Sequence, residues 1–173
     1  MTYVLAIVQA RMGSTRLPGK VMAEIQGKPM IEVLLKRLSN SKFIDRVILA
    51  TSDHAQNNPL HEYAEQLGYD VFRGSEDDVL SRFYGAALKE PLATHVVRIT
   101  GDCPMVDATV VDACIKECID KHLDYVSNVL PPTYPDGLDV EVFTKQALEL
   151  AYQEAPQGFD REHVTPYLRK PGL

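Results

Sequence analysis

Short apolar runs alternate with amphipathic stretches almost without a break along this chain, and that alternation restricts its fold more than any other feature. The runs 3–8, 46–51, 70–74 and 95–100 each read as a short, largely buried strand. Between them, Ile31, Leu34, Leu35 and Leu38 keep the i, i+3, i+4, i+7 spacing of a helix face. A second helix is expected over 58–67, stopped by Gly68, and a third begins at Asp77 and Asp78 with Leu80, Phe83, Tyr84, Ala87 and Leu88 on one face. Val110, Val111, Cys114, Ile115 and Ile119 mark a fourth, and 145–154 a fifth, ending before Pro156. Two late strands, 124–129 and 138–143, flank the Pro-rich turn 131–137. Strands alternating with helices of this length imply an α/β fold with a mostly parallel sheet covered on both faces.

The stretch Ala10-Arg11-Met12-Gly13-Ser14-Thr15-Arg16-Leu17-Pro18-Gly19-Lys20 sits at the mouth of the first strand. Its glycines let the backbone turn with positive φ and bring amide groups close to a ligand. Arg11, Arg16 and Lys20 add charge-assisted bonds to anionic oxygens, with Ser14 as a further donor. Such a loop is suited to a polyphosphate; a solvated basic loop is the plain alternative. It is not a Walker A loop, because Gly13 to Gly19 spans one residue too many and Val21 follows Lys20. The G-x-G-x-x-G dinucleotide spacing is also absent.

With 173 residues the chain forms one domain with room for a substantial core. A net charge of −6 offers no broad basic face, which argues against nucleic-acid binding and leaves the basic loop as a focused anion site. Cys114 and Cys118 lie one helical turn apart in an apolar stripe and read as packing, with no partners for a zinc site. No apolar run approaches membrane length and no leader is evident, so a cytoplasmic protein without membrane contact is expected. The polar stretch 159–173 ends abruptly, and a truncated C-terminus is the expectation from it.

Ligands of open parallel sheets collect outside the carboxyl ends of the strands. Besides the loop, Ser52-Asp53 and Thr100-Gly101-Asp102 meet that rule. Asp102 is placed to hold Mg²⁺ against a polyphosphate, since Mg²⁺ prefers one or two protein carboxylates plus phosphates and water. Asp139 is the better second contact; Glu141 is equally a solvent-facing residue of its strand. Arg161, Glu162 and His163 form surface ion pairs or contact a sugar. Asp53 and the Glu76-Asp77-Asp78 cluster complement helix dipoles, with Asp78 and Arg82 spaced as a surface pair, or else reach a base or ribose.

The segments 10–20, 27–31, 98–104, 137–143 and 161–167 together resemble the cytidylyltransferase family typified by CMP-KDO and CMP-sialic acid synthetases, most narrowly its spore coat polysaccharide biosynthesis protein F branch. The resemblance spans the chain in order. It implies a nucleotide-diphospho-sugar transferase fold, a Rossmann-like three-layer sandwich with a mixed sheet. It also implies CTP triphosphate binding by Arg11, Ser14, Arg16 and Lys20, the metal aspartate at Asp102 and, less directly, Asp139. Where CMP-KDO synthetase has Gly-Asp-Glu-Pro, this chain has Gly101-Asp102-Cys103-Pro104, which fits the spore coat branch. The implied activity is Mg²⁺-dependent transfer of CMP from CTP to a sugar, an acidic one by resemblance, with pyrophosphate released. Lys20, Arg11 and Asp102 would carry the chemistry; Asp53, Asp78 and Thr100 would join the nucleotide contacts; Arg161, Glu162 and His163 would meet the sugar. A homodimer is compatible with the family. A glycosyltransferase of the same fold and a non-catalytic nucleotide-sugar binder are the alternatives.

Overall fold

A computed structural model describes residues 2–14 and 17–170. In chain order it contains β1 (Val4–Gln9), β2 (Glu24–Ile25), β3 (Lys28–Pro29), α1 (Met30–Leu38), β4 (Arg46–Ser52), α2 (Asn58–Gln66) and β5 (Asp70–Gly74). Then follow α3 (Val79–Leu88), β6 (His95–Thr100), α4 (Ala108–Asp120), β7 (Tyr125–Ser127), β8 (Glu141–Thr144), α5 (Lys145–Glu154) and α6 (Phe159–His163).

One six-stranded sheet runs in the order β5-β4-β1-β6-β8-β7. The pairs β4–β5, β1–β4 and β1–β6 are parallel, whereas β8 runs antiparallel to both β6 and β7. The sheet is therefore mixed and mostly parallel. Alternate residues of a strand face opposite sides, and β1 is apolar on both. Val4, Ala6 and Val8 pack among Leu34 and Leu35 of α1, Leu60 of α2, and Val111 and Ile115 of α4. Leu5 and Ile7 face Leu80 and Phe83 of α3 and Leu148 and Ala151 of α5. Helices thus cover both faces, giving the three layers that the alternation implies. Cys114 and Cys118 are buried in the first layer, and burial pushes both thiols up to about 11.

The chain steps from β1 outward to β4 and β5, then returns to place β6 on the other side of β1. This reversal opens a crevice at the carboxyl ends of β1 and β6, the position where open α/β sheets bind ligands. Gln9 and Thr100, the last residues of the two strands, are register partners.

Several boundaries depart from expectation for identifiable reasons. Gln26 and Gly27, both at positive φ, turn a small β2–β3 hairpin that apolar periodicity does not reveal. The helix expected from Asp77 starts at Val79, because the Asp78 side chain caps it by accepting from Ser81 N at 2.9 Å. Residues 138–140 are not strand. The Asn128 amide donates to Leu138 O at 2.7 Å and its carbonyl oxygen accepts from Val140 N at 2.8 Å, so a side chain replaces the ladder there. In the polar stretch after α5, Val164, Thr165 and Leu168 are buried, and Val164 and Leu168 join the second core layer.

Candidate active site

The loop after β1 is shaped by its own backbone and by one buried amide. Met12 N donates to Asn57 Oδ1 at 2.8 Å, and Asn57 in turn donates to Ser52 Oγ at 2.6 Å. The Met12 carbonyl accepts from both Ser14 N and Gly19 N at 2.9 Å, which folds the loop back on itself. Gly19 makes the return at φ 71°, a region that favours glycine. The 3₁₀ turn Lys20–Met22 follows, anchored by buried Val21, and Lys20 comes back over the strand ends.

From the other side, Gly101 brings Asp102 to meet it. Gly101 N donates to Gln9 O at 2.7 Å, and a Cβ on Gly101 would stand 2.5 Å from Ala10 Cβ. Only glycine permits this approach of the β6 end to the β1 end. The result is an ion pair, Lys20 Nζ to Asp102 Oδ2, at 2.6 Å. Burial alone would raise the Asp102 carboxyl, but the hydrogen bond and charge of Lys20, a backbone N–H and Thr100 outweigh it and hold the group below its usual value.

A cavity of about 400 Å³ opens here. Of the residues expected at the site, it brings together Arg11, Ser14, Lys20, Thr100, Asp102, Glu162 and His163. Gln9, Glu76, Asp77 and Arg82 complete much of the wall. Arg16 lies outside the described residues. Arg11 is tied to Glu76 Oε1 at 2.8 Å. Burial opposes ionisation of Glu76, yet Ser52, Arg11 and Arg82 together leave its carboxyl below the usual range.

Asp53, Asp78, Asp139 and Arg161 do not line the cavity. Asp78 and Arg82 are not the surface pair their spacing suggests. Arg82 is 3% exposed and donates to Ser75 O, whereas Asp78 Oδ2 accepts from Arg161 Nε at 2.8 Å. Arg161 also donates to Tyr152 O at 3.0 Å and lies over the Tyr152 ring. These contacts spend Arg161 on fastening α6 to α3 and α5, and that attachment is what delivers Glu162 and His163 to the cavity.

Glu141 is neither solvent-facing nor free for a metal. It is 2% exposed and accepts from Arg98, from Tyr125 OH at 2.5 Å and from Arg169 Nη2 at 2.6 Å. Arg98 also donates to Gln9 Oε1 at 3.0 Å, so this buried network reaches a residue of the cavity wall. Periodicity cannot find Glu141, Asn57 or Arg82, because each owes its role to partners distant in sequence or to burial that a polar residue does not advertise.

Asp102, on the cavity wall, and Asp139, outside it, are the carboxylates that could hold a divalent cation. Oδ2 of Asp102 is engaged by Lys20, and Oδ1 accepts from the Cys103 thiol at 3.9 Å. Burial, Asp136, Glu141 and Asp102 push the Asp139 carboxyl up against the opposing charge of Arg98, which marks a field that a cation would relieve. No group of three or more metal-ligating side chains occurs among the described residues. That set suits Mg²⁺, which completes its octahedron with phosphate oxygens and water, and does not suit a closed structural zinc site.

The cytidylyltransferase family model matches residues 5–172. An uncharacterised protein of Methanocaldococcus jannaschii is 42% identical over 167 residues, covering 95% of this chain and 66% of its own length. The spore coat polysaccharide biosynthesis protein SpsF of Bacillus subtilis is 36% identical over 179 residues, covering 98% of this chain and 71% of its own. A 3-deoxy-manno-octulosonate cytidylyltransferase of Aeromonas salmonicida is 35% identical over 119 residues, 64% of this chain and 44% of that protein. Among solved structures, a cytidylyltransferase from Leptospira borgpetersenii superposes with a TM-score of 0.92 at 33% identity, covering 97% of this chain and 71% of that one. The chain thus spans between under half and about seven tenths of the length of these relatives. No helix of the described residues is long and apolar enough to cross a membrane.

Proposed function

The chain belongs to the cytidylyltransferase family, and from that premise we propose that it transfers CMP from CTP to an acidic sugar with release of pyrophosphate. The observation that carries the reading is the meeting of Lys20 and Asp102, a cation and a carboxylate 2.6 Å apart, at the sheet's switch point inside a cavity. An acidic acceptor is supported by the sugar acid in the name of the Aeromonas relative, and a surface polysaccharide destination by that of the Bacillus relative.

In this reading Arg11, Ser14, Arg16 and Lys20 hold the triphosphate, and Thr100 joins from the end of β6. Lys20 exchanges its Asp102 partner for phosphate oxygens as the nucleotide enters, which leaves Asp102 to hold Mg²⁺, with Asp139 as the second candidate. The ion would offset charge growing on the phosphates in the transition state. Glu162 and His163, which also line the cavity, orient the acceptor. The acceptor hydroxyl oxygen forms a bond to the α-phosphorus, and the bond from that phosphorus to the bridging oxygen breaks. Pyrophosphate departs with the electron pair, and the hydroxyl proton passes to solvent. Positioning and charge stabilisation by fixed groups supply most of the acceleration in such transfers.

The test is pyrophosphate release by the chain with each of four nucleoside triphosphates, Mg²⁺ and a panel of acidic sugars. Release confined to CTP and one acidic sugar supports the reading; release with a neutral sugar alone overturns the acidic acceptor.

A further inference from the structure

A polar row crosses a sheet face that is otherwise core. Ile7 is the register partner of Arg98, and Arg98 of Glu141, and residues directly opposite each other share a face. Their neighbours on that face, Leu5, Val96 and Phe143, all belong to the second core layer. Gln9, two residues beyond Ile7, points the same way and ends the row at the cavity wall. Arg98 Nε can only donate, so the Gln9 atom that it meets at 3.0 Å is the carbonyl oxygen Oε1. Gln9 Nε2 makes no hydrogen bond among the described residues and is not shut off from solvent. The side chain therefore offers two N–H donors at the cavity wall, and a guanidinium on its carbonyl oxygen polarises the amide and strengthens them.

The other end of the row fastens a second part of the cavity. Glu141 accepts from Arg98 and from Arg169 Nη2 at 2.6 Å; against burial, Arg98, Tyr125, Arg169 and Thr165 hold its carboxyl below the ordinary range. Thr165 and Arg169 lie on the segment that follows Glu162 and His163, and Val164 and Leu168 of that segment pack in the same core layer as Ile7. One buried carboxylate fixes both the Gln9 amide and the tail of α6. Gln9, Glu162 and His163 reach the cavity from the same side of the sheet.

We propose that Gln9 is a specificity-determining residue that donates its amide hydrogens to the carboxylate of an acidic acceptor sugar, with Arg98 and Glu141 as the positioning residues that aim it. The inference rests on the cytidylyl-transfer reading above. A donor that is polarised by a cation matches the strongest acceptor a sugar can carry, which is a carboxylate oxygen. Because Arg98 holds the amide beforehand, no further ordering of that side chain accompanies sugar binding. A phosphate oxygen of the nucleotide has the same acceptor chemistry. The cations suited to it, Arg11 and Lys20, stand on the loop after β1 and not in this row, whose far end is tied to the tail of α6.

The test measures pyrophosphate release with CTP, Mg²⁺ and each of glucuronate, N-acetylneuraminate and 3-deoxy-manno-octulosonate, beside neutral glucose and mannose. Calorimetry gives CTP affinity without a sugar, and thermal melting checks that each variant is folded. Gln9→Met removes the amide at similar size and should raise the KM for the sugar acid by about tenfold or more, while CTP affinity changes little. Gln9→Glu keeps an oxygen for Arg98 Nε but puts a carboxylate oxygen where Nε2 stood, so its KM should rise further than that of Gln9→Met. A glutamine that merely tethers Arg98 predicts the opposite, a native KM in Gln9→Glu. Arg98→Lys keeps a charge for Glu141 but removes the Nε donor; the KM should rise by about threefold with kcat nearly native, because the amide is freed and not lost. A native KM in Gln9→Glu, or a loss of CTP affinity that matches the rise in KM, overturns the role of Gln9. A native KM in Arg98→Lys overturns the positioning role. A native chain that releases pyrophosphate with none of the sugar acids overturns the acidic-acceptor reading itself, whatever the variants do.

Discussion

Lys20 and Asp102 stand 82 residues apart in sequence, yet Nζ of one lies 2.6 Å from Oδ2 of the other. Neither belongs to a strand. Asp102 stands just past β6, Lys20 is brought back by the loop after β1, and the parallel pairing of the two strands aligns their exits. The contact therefore reports the sheet order and the return of the first loop at once. Replacing Asp102 with Asn should lower turnover by about 100-fold or more, on the scale of losing one fixed electrostatic group, while the melting temperature changes little. Lys20→Ala should weaken CTP binding as well as slow turnover. Steady-state kinetics beside direct CTP binding separates the two effects, and near-native turnover in Asp102→Asn would contradict the assignment.

Gly101 is the hinge of that contact. A methyl group there would meet Ala10 Cβ at 2.5 Å and Gln9 O at 2.9 Å. Gly101→Ala should force the β1 and β6 ends apart, costing about 1–3 kcal/mol of stability and reducing activity by shifting Asp102 from Lys20. Denaturant unfolding gives the first quantity and pyrophosphate release the second. An alanine variant with native stability and activity would show that the strand ends tolerate separation.

Asn57 supports the loop from below. It is fully buried, and its side chain spans the Met12 amide and the Ser52 hydroxyl. Asn57→Ala leaves the Met12 N–H without its acceptor and should destabilise the fold by about 1–3 kcal/mol. The KM for CTP should rise more than kcat falls, because the loop loses its seat rather than its charges. An unchanged KM in a destabilised variant would reduce Asn57 to a packing role.

Glu141 gives a pH prediction. Burial would raise its carboxyl, but the charge of Arg98 and hydrogen bonds from Tyr125, Arg169 and Thr165 prevail and hold it below the ordinary 4.5. A group whose folded value lies below its unfolded one stabilises fully above the unfolded value and loses that contribution as pH falls through the folded one. Stability should therefore drop below about pH 4.5 more steeply in the native chain than in Glu141→Gln. At neutral pH the variant should be weaker by about 3–5 kcal/mol, since two arginines lose their buried partner. Equal acid sensitivity in both chains would show that other carboxylates govern it.

The expected elements were legible where burial follows a period. The four parallel strands, five of the helices and the packing role of Cys114 and Cys118 all come from apolar spacing that a core imposes directly. The turn after β1 was legible because glycines at a strand end let the backbone fold back. Residues 138–140 were misread as strand because alternation is equally the pattern of a segment bonded to Asn128. The ion pair of Arg161 was legible as a charge, but its partners Asp78 and Tyr152 are not shown by the sequence. Arg82 and Glu141 were hidden by the same limit: a buried charged residue is recognisable only once its partners, or its lack of them, are seen in space.

The proposed reaction passes a cytidylyl group from CTP to an acidic sugar on groups aligned by Lys20 and Asp102. Its most direct test is pyrophosphate release with each nucleoside triphosphate across an acidic-sugar panel, with Mg²⁺ and again after chelation by EDTA. Release should occur with CTP alone, depend on one acidic sugar, be abolished by EDTA and be restored by Mg²⁺. Equal release with every nucleotide, or sugar-dependent release that survives chelation, would contradict it.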